Sequence, residues 1–216
     1  MFAYCGNSPI TYADSEGNKR YYTAVSCEDS DDRIEIYGQG AAVTVSIYGN
    51  TIYIDAYITF YGDVSAEYLI AGIENYWEGS YRNANETYDV CVSIYQGKNS
   101  NGHTIHTITS KSRGRSWVHR NNVQWGITKE SYVVLYEKYY QNTTCDWTMA
   151  HEFGHCLGVR DYYTTSNLPG HKKSFQSIMN KEGSHATFSD IQKVIHAFRY
   201  NYIQPWYCEE WNGVTI

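Results

Sequence analysis

The sequence predicts an α+β fold in the order strand, helix, several strands, helix, loop, helix. Three observations predict it. Apolar residues alternate with period two through residues 43–60, and they recur at helical spacing in 66–77 and again in 191–198. The composition, with 23 tyrosines and 6 tryptophans against 3 prolines, leans toward sheet. A chain of 216 residues is long enough for one domain with a sizeable core, or for one domain and a short appendage. Apolar residues at 42% and charged residues at 19% fit a folded globular chain rather than a disordered one. No apolar stretch approaches the length needed to span a bilayer, so no membrane span is expected. A net charge of -6 supplies no overall basic field, which sets nucleic acid aside as a partner.

The elements follow in chain order. The first twenty residues are rich in turn formers, among them Gly6, Asn7, Ser8, Pro9, Asp14, Gly17 and Asn18, and read as a tail or linker (1–20) before a domain at 21–216. The first residues also lack a basic start and an apolar run, so no secretory signal peptide is read there. Regular structure is expected from the thirties. Val43, Val45 and Ile47 alternate with Thr44, Ser46 and Tyr48, Gly49-Asn50 makes a two-residue hairpin turn, and Ile52, Ile54, Ala56, Ile58 and Phe60 line one face of the return strand. Ser65 then caps a helix whose stripe is Ala66, Leu69, Ile70, Ile73 and Trp77, ending near Gly79. Strands are expected at about 89–96, 103–110, 115–126 and 131–138. A second helix starts near Thr144 and stops at Gly158, and residues 160–186 read mostly as loop. Thr187 with Asp190 resembles a capping box ahead of Ile191, Val194, Ile195 and Phe198, which form a final amphipathic helix.

The chemistry lies on the second helix. His151 and His155 stand four residues apart, so a helix puts both imidazoles on one face, one turn apart, within reach of one ion. Glu152, beside the first histidine, can approach a metal's water without binding the metal, which suits a general base. Catalytic zinc takes three protein ligands and leaves a position for water. Gly158 can take the left-handed conformation that ends a helix, and Asp161 can then swing back as the third, oxygen ligand. His171 and His185, in the following loop, compete for that place; the spacing after Gly158 favours Asp161. The bland reading is an ordinary helix with two half-buried histidines, although a bare His-Glu-x-x-His arises by chance in only about one chain in a few hundred. His103, His106, His119 and His196 read as strand or surface residues. Cys156 reads as a small core residue facing away from the metal. The six cysteines contain no C-x-x-C pair, so a cysteine zinc knuckle is not expected, and the sequence does not choose among their pairings.

His151-Glu-Phe-Gly-His155-Cys-Leu-Gly158-Val-Arg-Asp161 resembles the extended zinc motif of the metzincin metallopeptidases, in the snapalysin-like branch that has aspartate as last ligand. Ser177-Ile178-Met179-Asn180 is similar to the methionine turn that lies beneath the metal in that clan. The resemblance implies a zincin-like α+β fold: a twisted mixed sheet, an active-site helix, a packing helix at 65–79 and a C-terminal helix at about 188–200. It implies Zn2+ on His151, His155 and Asp161, Glu152 as catalytic base, Met179 as a structural support, and a metalloendopeptidase acting on a protein or peptide. The peptide is expected to add to an edge strand within 115–126. Where some metzincins carry an assisting tyrosine two residues after the methionine, this chain has Lys181, so no such tyrosine is carried over. An anionic third ligand also leaves the metal's water less acidic than three histidines do, and a modest rate is expected.

Tyr4, Asn7, Pro9, Ile10, Asp14 and Gly17 resemble the end of the Rhs (YD-repeat) associated core, with Ser15 in place of that segment's proline. Variable effector domains follow this segment in that family and are delivered from bacteria to other cells. The resemblance therefore implies a toxin effector that is secreted or delivered from a bacterium and meets an immunity protein. The competing function is a zincin-like scaffold that binds peptide or carbohydrate through its aromatic surface without cleaving it; the intact Glu152 argues against it.

Overall fold

The alternation of Val43, Val45 and Ile47 with polar partners makes β3 (Val43–Tyr48), and the return run makes β4 (Thr51–Tyr61), joined by a two-residue turn in which Gly49 has a positive φ of 54°. This hairpin is the middle of the sheet in a computed structural model that describes residues 20–23, 33–110, 117–120, 130–136, 145–162 and 176–200. Upstream, β1 (Arg20–Thr23) and β2 (Arg33–Tyr37) add antiparallel strands to β3. Among the described residues, regular structure thus starts at Arg20, ahead of the thirties. Four residues are too few for a period to show, so only the β-forming Tyr-Tyr-Thr hints at this strand.

α1 (Ala66–Trp77) starts at Ser65, whose hydroxyl accepts from the Tyr68 amide at 3.4 Å, and ends at Trp77. Gly79 opens a short strand that the periodicity does not reveal, β5 (Gly79–Arg82), which pairs with β6 (Thr87–Gln96). β7 (Thr104–Ser110), β8 (Trp117–Arg120) and β9 (Glu130–Tyr136) follow near their expected positions. The remainder of the 115–126 expectation lies outside the described residues. α2 (Cys145–Cys156) and α3 (Phe188–Tyr200) complete the described elements.

The sheet is mixed, open and twisted. β4 is parallel to β6 and β7, β7 is parallel to β9, and β8 returns antiparallel to β9 at one end of the sheet. Ile58 pairs with both Gln96 of β6 and Ile105 of β7, so those strands lie on opposite edges of β4. Thr51–Ala56 pair with both β3 and β6, which leaves β3 and β7 end to end along the other edge. The architecture is mixed α/β with three helices among the described residues.

Ile52, Ile54, Ala56 and Ile58 are fully buried and join Leu69, Ile73 and Trp77 of α1, Met149 and Phe153 of α2, and Val194 and Phe198 of α3 in one core. The opposite face of β4 carries Tyr53, Tyr57 and Tyr61. There Tyr57 stacks on Tyr95 at 5.1 Å, and His106 stacks between Tyr61 at 5.7 Å and Tyr132 at 4.9 Å. Much of the tyrosine excess on this face is therefore engaged in cross-strand ring pairs. No helix among the described residues is long and apolar enough to cross a membrane.

Candidate metal centre

α2 is held where its chemistry needs it by close approach to α1. Gly72 faces Asp146, where an added Cβ would come within 2.8 Å of the Asp146 Cα, so the two helix backbones nearly touch. Trp77 then reaches across to donate its indole N–H to the Ala150 carbonyl at 2.8 Å, one residue before His151, and meets Phe153 edge-on at 6.5 Å. From Thr148 to Cys156 every residue of α2 is buried. Cys156 is among them, as a core residue.

The end of α2 follows from Gly158. Its φ is 87°, the Val159 amide donates to the Gly154 carbonyl at 3.0 Å, and the Gly158 amide donates to the His155 carbonyl at 3.0 Å. This pair of bonds is the Schellman closure. It also turns the Val159 carbonyl back toward the helix, where it accepts from His155 Nδ1 at 2.8 Å. The Ile178 carbonyl does the same for His151 Nδ1 at 2.8 Å. A carbonyl only accepts, so both Nδ1 atoms carry hydrogen, and each neutral ring keeps its lone pair on Nε2.

Both Nε2 atoms face Asp161, which the turn at Gly158 delivers. Asp161 Oδ1 lies 3.1 Å from His151 Nε2 and 3.4 Å from His155 Nε2. Donors bound about 2.1 Å from one tetrahedral zinc ion stand about 3.4 Å apart, so these separations suit an ion seated among the three groups. His151 and His155 are buried, Asp161 is half-buried, and among the described residues these three form the group that can hold a metal ion. His185 stands aside, with its ring 4.8 Å from that of Tyr76, and His171 lies outside the described residues.

The charges fit the same picture. Burial alone lowers the His151 pKa, but the Asp161 carboxylate bonded to it and the charge of Glu152 outweigh burial and leave it raised. Burial alone raises the Asp161 pKa, but its bonds to His151 and His155 prevail and hold the carboxyl well below the usual carboxylate range. Glu152 is buried at 5% exposure, near enough to His151 to act on it electrostatically.

Met179 sits below this group. A Cβ on Gly154 would overlap the Met179 sulphur, so the glycine of His-Glu-Phe-Gly-His lets the methionine pack against the helix between the histidines. The Met179 carbonyl accepts from the Tyr162 amide at 2.9 Å, which ties the turn to the residue after Asp161. Trp147 stacks on His151 with ring centres 5.1 Å apart and donates its indole N–H to the Ser184 carbonyl at 3.1 Å. Sequence reasoning missed Trp147, although its place four residues before His151 puts both on one helix face. It also missed the two orienting carbonyls, which have no sequence signature.

α2, which carries His151 and His155, packs along β8 and β9 at one end of the sheet. No protein-family model and no curated protein matches the chain. The structure defines a mixed α/β protein with a buried His151/His155/Asp161 group able to hold a metal ion.

Proposed function

We propose that the chain is a zinc-dependent metalloendopeptidase. The observation that carries this reading is the convergence of two Nε2 lone pairs and one carboxylate oxygen, with buried Glu152 on the same helix. Two nitrogens and one oxygen with a free fourth position are the donor set of a catalytic zinc site, and zinc held there would polarise the scissile carbonyl and acidify its water. Glu152 takes the proton from the attacking water and returns it to the leaving amine. Val159 and Ile178 fix the tautomer of both histidines through their carbonyls. The substrate is a protein or peptide, laid in extended form along the outer edge of β8 by strand addition.

The N-terminal resemblance extends the proposal: residues 1–20 are the tail of an Rhs-type core, and the domain is a toxin effector, delivered from a bacterium and checked by an immunity protein. The test is cleavage of a denatured protein substrate by the wild type and by Glu152→Ala, each with and without chelator. Wild-type cleavage that chelator abolishes, with at least a hundredfold loss in Glu152→Ala at unchanged zinc content, is expected. Equal cleavage by the two chains would remove the peptidase reading. Metal binding without cleavage would favour the non-cleaving scaffold.

A further inference from the structure

We propose that Asp190 is a positioning residue for the metal centre, clasping the chain on both sides of segment 163–175 and thereby fixing Asp161 and the carbonyl that orients His151. This inference rests on His151, His155 and Asp161 being metal ligands.

As a helix cap, Asp190 needs little. The Thr187 amide donates to its Oδ2 at 2.7 Å, and in return the Asp190 amide donates to Thr187 Oγ1 at 3.4 Å. That is the capping box. The Asp190 carboxylate is nevertheless fully buried and takes donors from outside α3. The Tyr162 hydroxyl donates to Oδ1 at 2.7 Å, and the Ser177 hydroxyl lies 3.0 Å and 2.9 Å from its two oxygens. Burying a carboxylate is costly unless donors surround it. Here the donors come from the residue immediately after Asp161 and the residue immediately before Ile178.

Each clasped residue is tied onward to the centre. Tyr162 donates its amide to the Met179 carbonyl, and its ring lies under the Lys193 ammonium, 3.6 Å from Nζ to the ring centre. Ser177 Oγ accepts from the Met179 amide at 3.0 Å while its own hydrogen goes to Asp190. One carboxylate thus tethers the residue after Asp161 and the residue before Ile178. The Thr187 amide and the Lys193 charge add to the donors that make its burial tolerable. Groups of this kind tune metal affinity without touching the metal, and losing one costs about 10- to 100-fold.

The cap and the two arms use different residues, although the Thr187 hydroxyl also donates to Asp190 Oδ2 at 2.7 Å. Thr187→Val removes the cap hydroxyl, whereas Tyr162→Phe and Ser177→Ala each remove one arm of the clasp. The experiment is titration of the full chain with Zn2+, together with the visible absorption of the Co2+-loaded chain and thermal unfolding of each variant. Tyr162→Phe and Ser177→Ala should each weaken Zn2+ binding about tenfold or more and alter the Co2+ spectrum. Thr187→Val leaves both arms in place, so it should lower Tm and cost less Zn2+ affinity than either arm variant. Asp190→Asn should do both; if it does not fold, the two single-arm variants carry the test. Wild-type affinity and spectrum in both arm variants would overturn the clasp, as would a loss of affinity that only follows Tm across all variants, Thr187→Val included. A wild-type chain that binds neither ion overturns the metal centre itself, a result distinct from failure of the clasp alone.

Discussion

A Cβ on Gly154 would overlap Met179 and stand 2.8 Å from Trp77 Cζ2, and both side chains are fully buried. Overpacking of this kind costs about 1–3 kcal/mol, so Gly154→Ala should lower the free energy of unfolding by that amount and weaken zinc binding. Unchanged stability would mean that Met179 does not pack there. His151 and Asp161 make a second statement at this scale, concerning pH in the metal-free chain. The His151 pKa is raised above its ordinary 6.5, so its stabilisation is complete below that value and is lost as pH rises through the raised one. The Asp161 pKa is lowered, so its stabilisation stands above the ordinary 3.8 and is lost as pH falls through the lowered one. The pair therefore supports the metal-free fold best between 3.8 and 6.5. Denaturant titrations of the chelated chain should show stability falling as pH rises above 6.5, while zinc affinity rises as His151 gives up its proton. A flat metal-free profile would contradict the pairing.

Among the elements, α2 depends most on its neighbours. Its sequence has a weak stripe because nearly all of it is buried, and α1 supplies the partner surface through Gly72 and Trp77. Trp77→Phe keeps an aromatic ring but removes the donor to the Ala150 carbonyl and leaves a gap. It should cost about 2 kcal/mol by chemical denaturation. A change within error would place the hold on α2 elsewhere. The β3–β4 hairpin, α1 and α3 were legible in the sequence because each repeats its apolar period over enough residues to register, and α2 was legible from the spacing of its two histidines and the stop at Gly158. β1 and β5, at four residues each, were not. The helical spacing of His151 and His155 made most of the site legible, and Gly158 pointed to Asp161. The role of Asp190 was half legible: Thr187 and Asp190 announce a cap, but nothing local says that Tyr162 and Ser177 return to the same carboxylate.

Across the whole molecule, sheet order was beyond sequence reasoning, since pairings such as β4 with β7 and β7 with β9 join segments far apart in the chain. That order nevertheless sets where the site stands. It buries one face of β4 under the helices, leaves the tyrosine pairs on the other, and puts β8 at the sheet end along which α2 packs. The three residues of the proposed metal site come from one helix and the turn after it, and the turn at Met179 and the start of α3 pack beside them. The His151/His155/Asp161 group thus stands where helices and loops meet, and zinc bound there should raise Tm. The most direct test of this account is the zinc stoichiometry of the purified chain, read by elemental analysis and titration. One zinc per chain, kept in Glu152→Ala and lost when His151 and His155 are both replaced by alanine, is the predicted result. A folded wild-type chain that neither carries nor takes up zinc would contradict it.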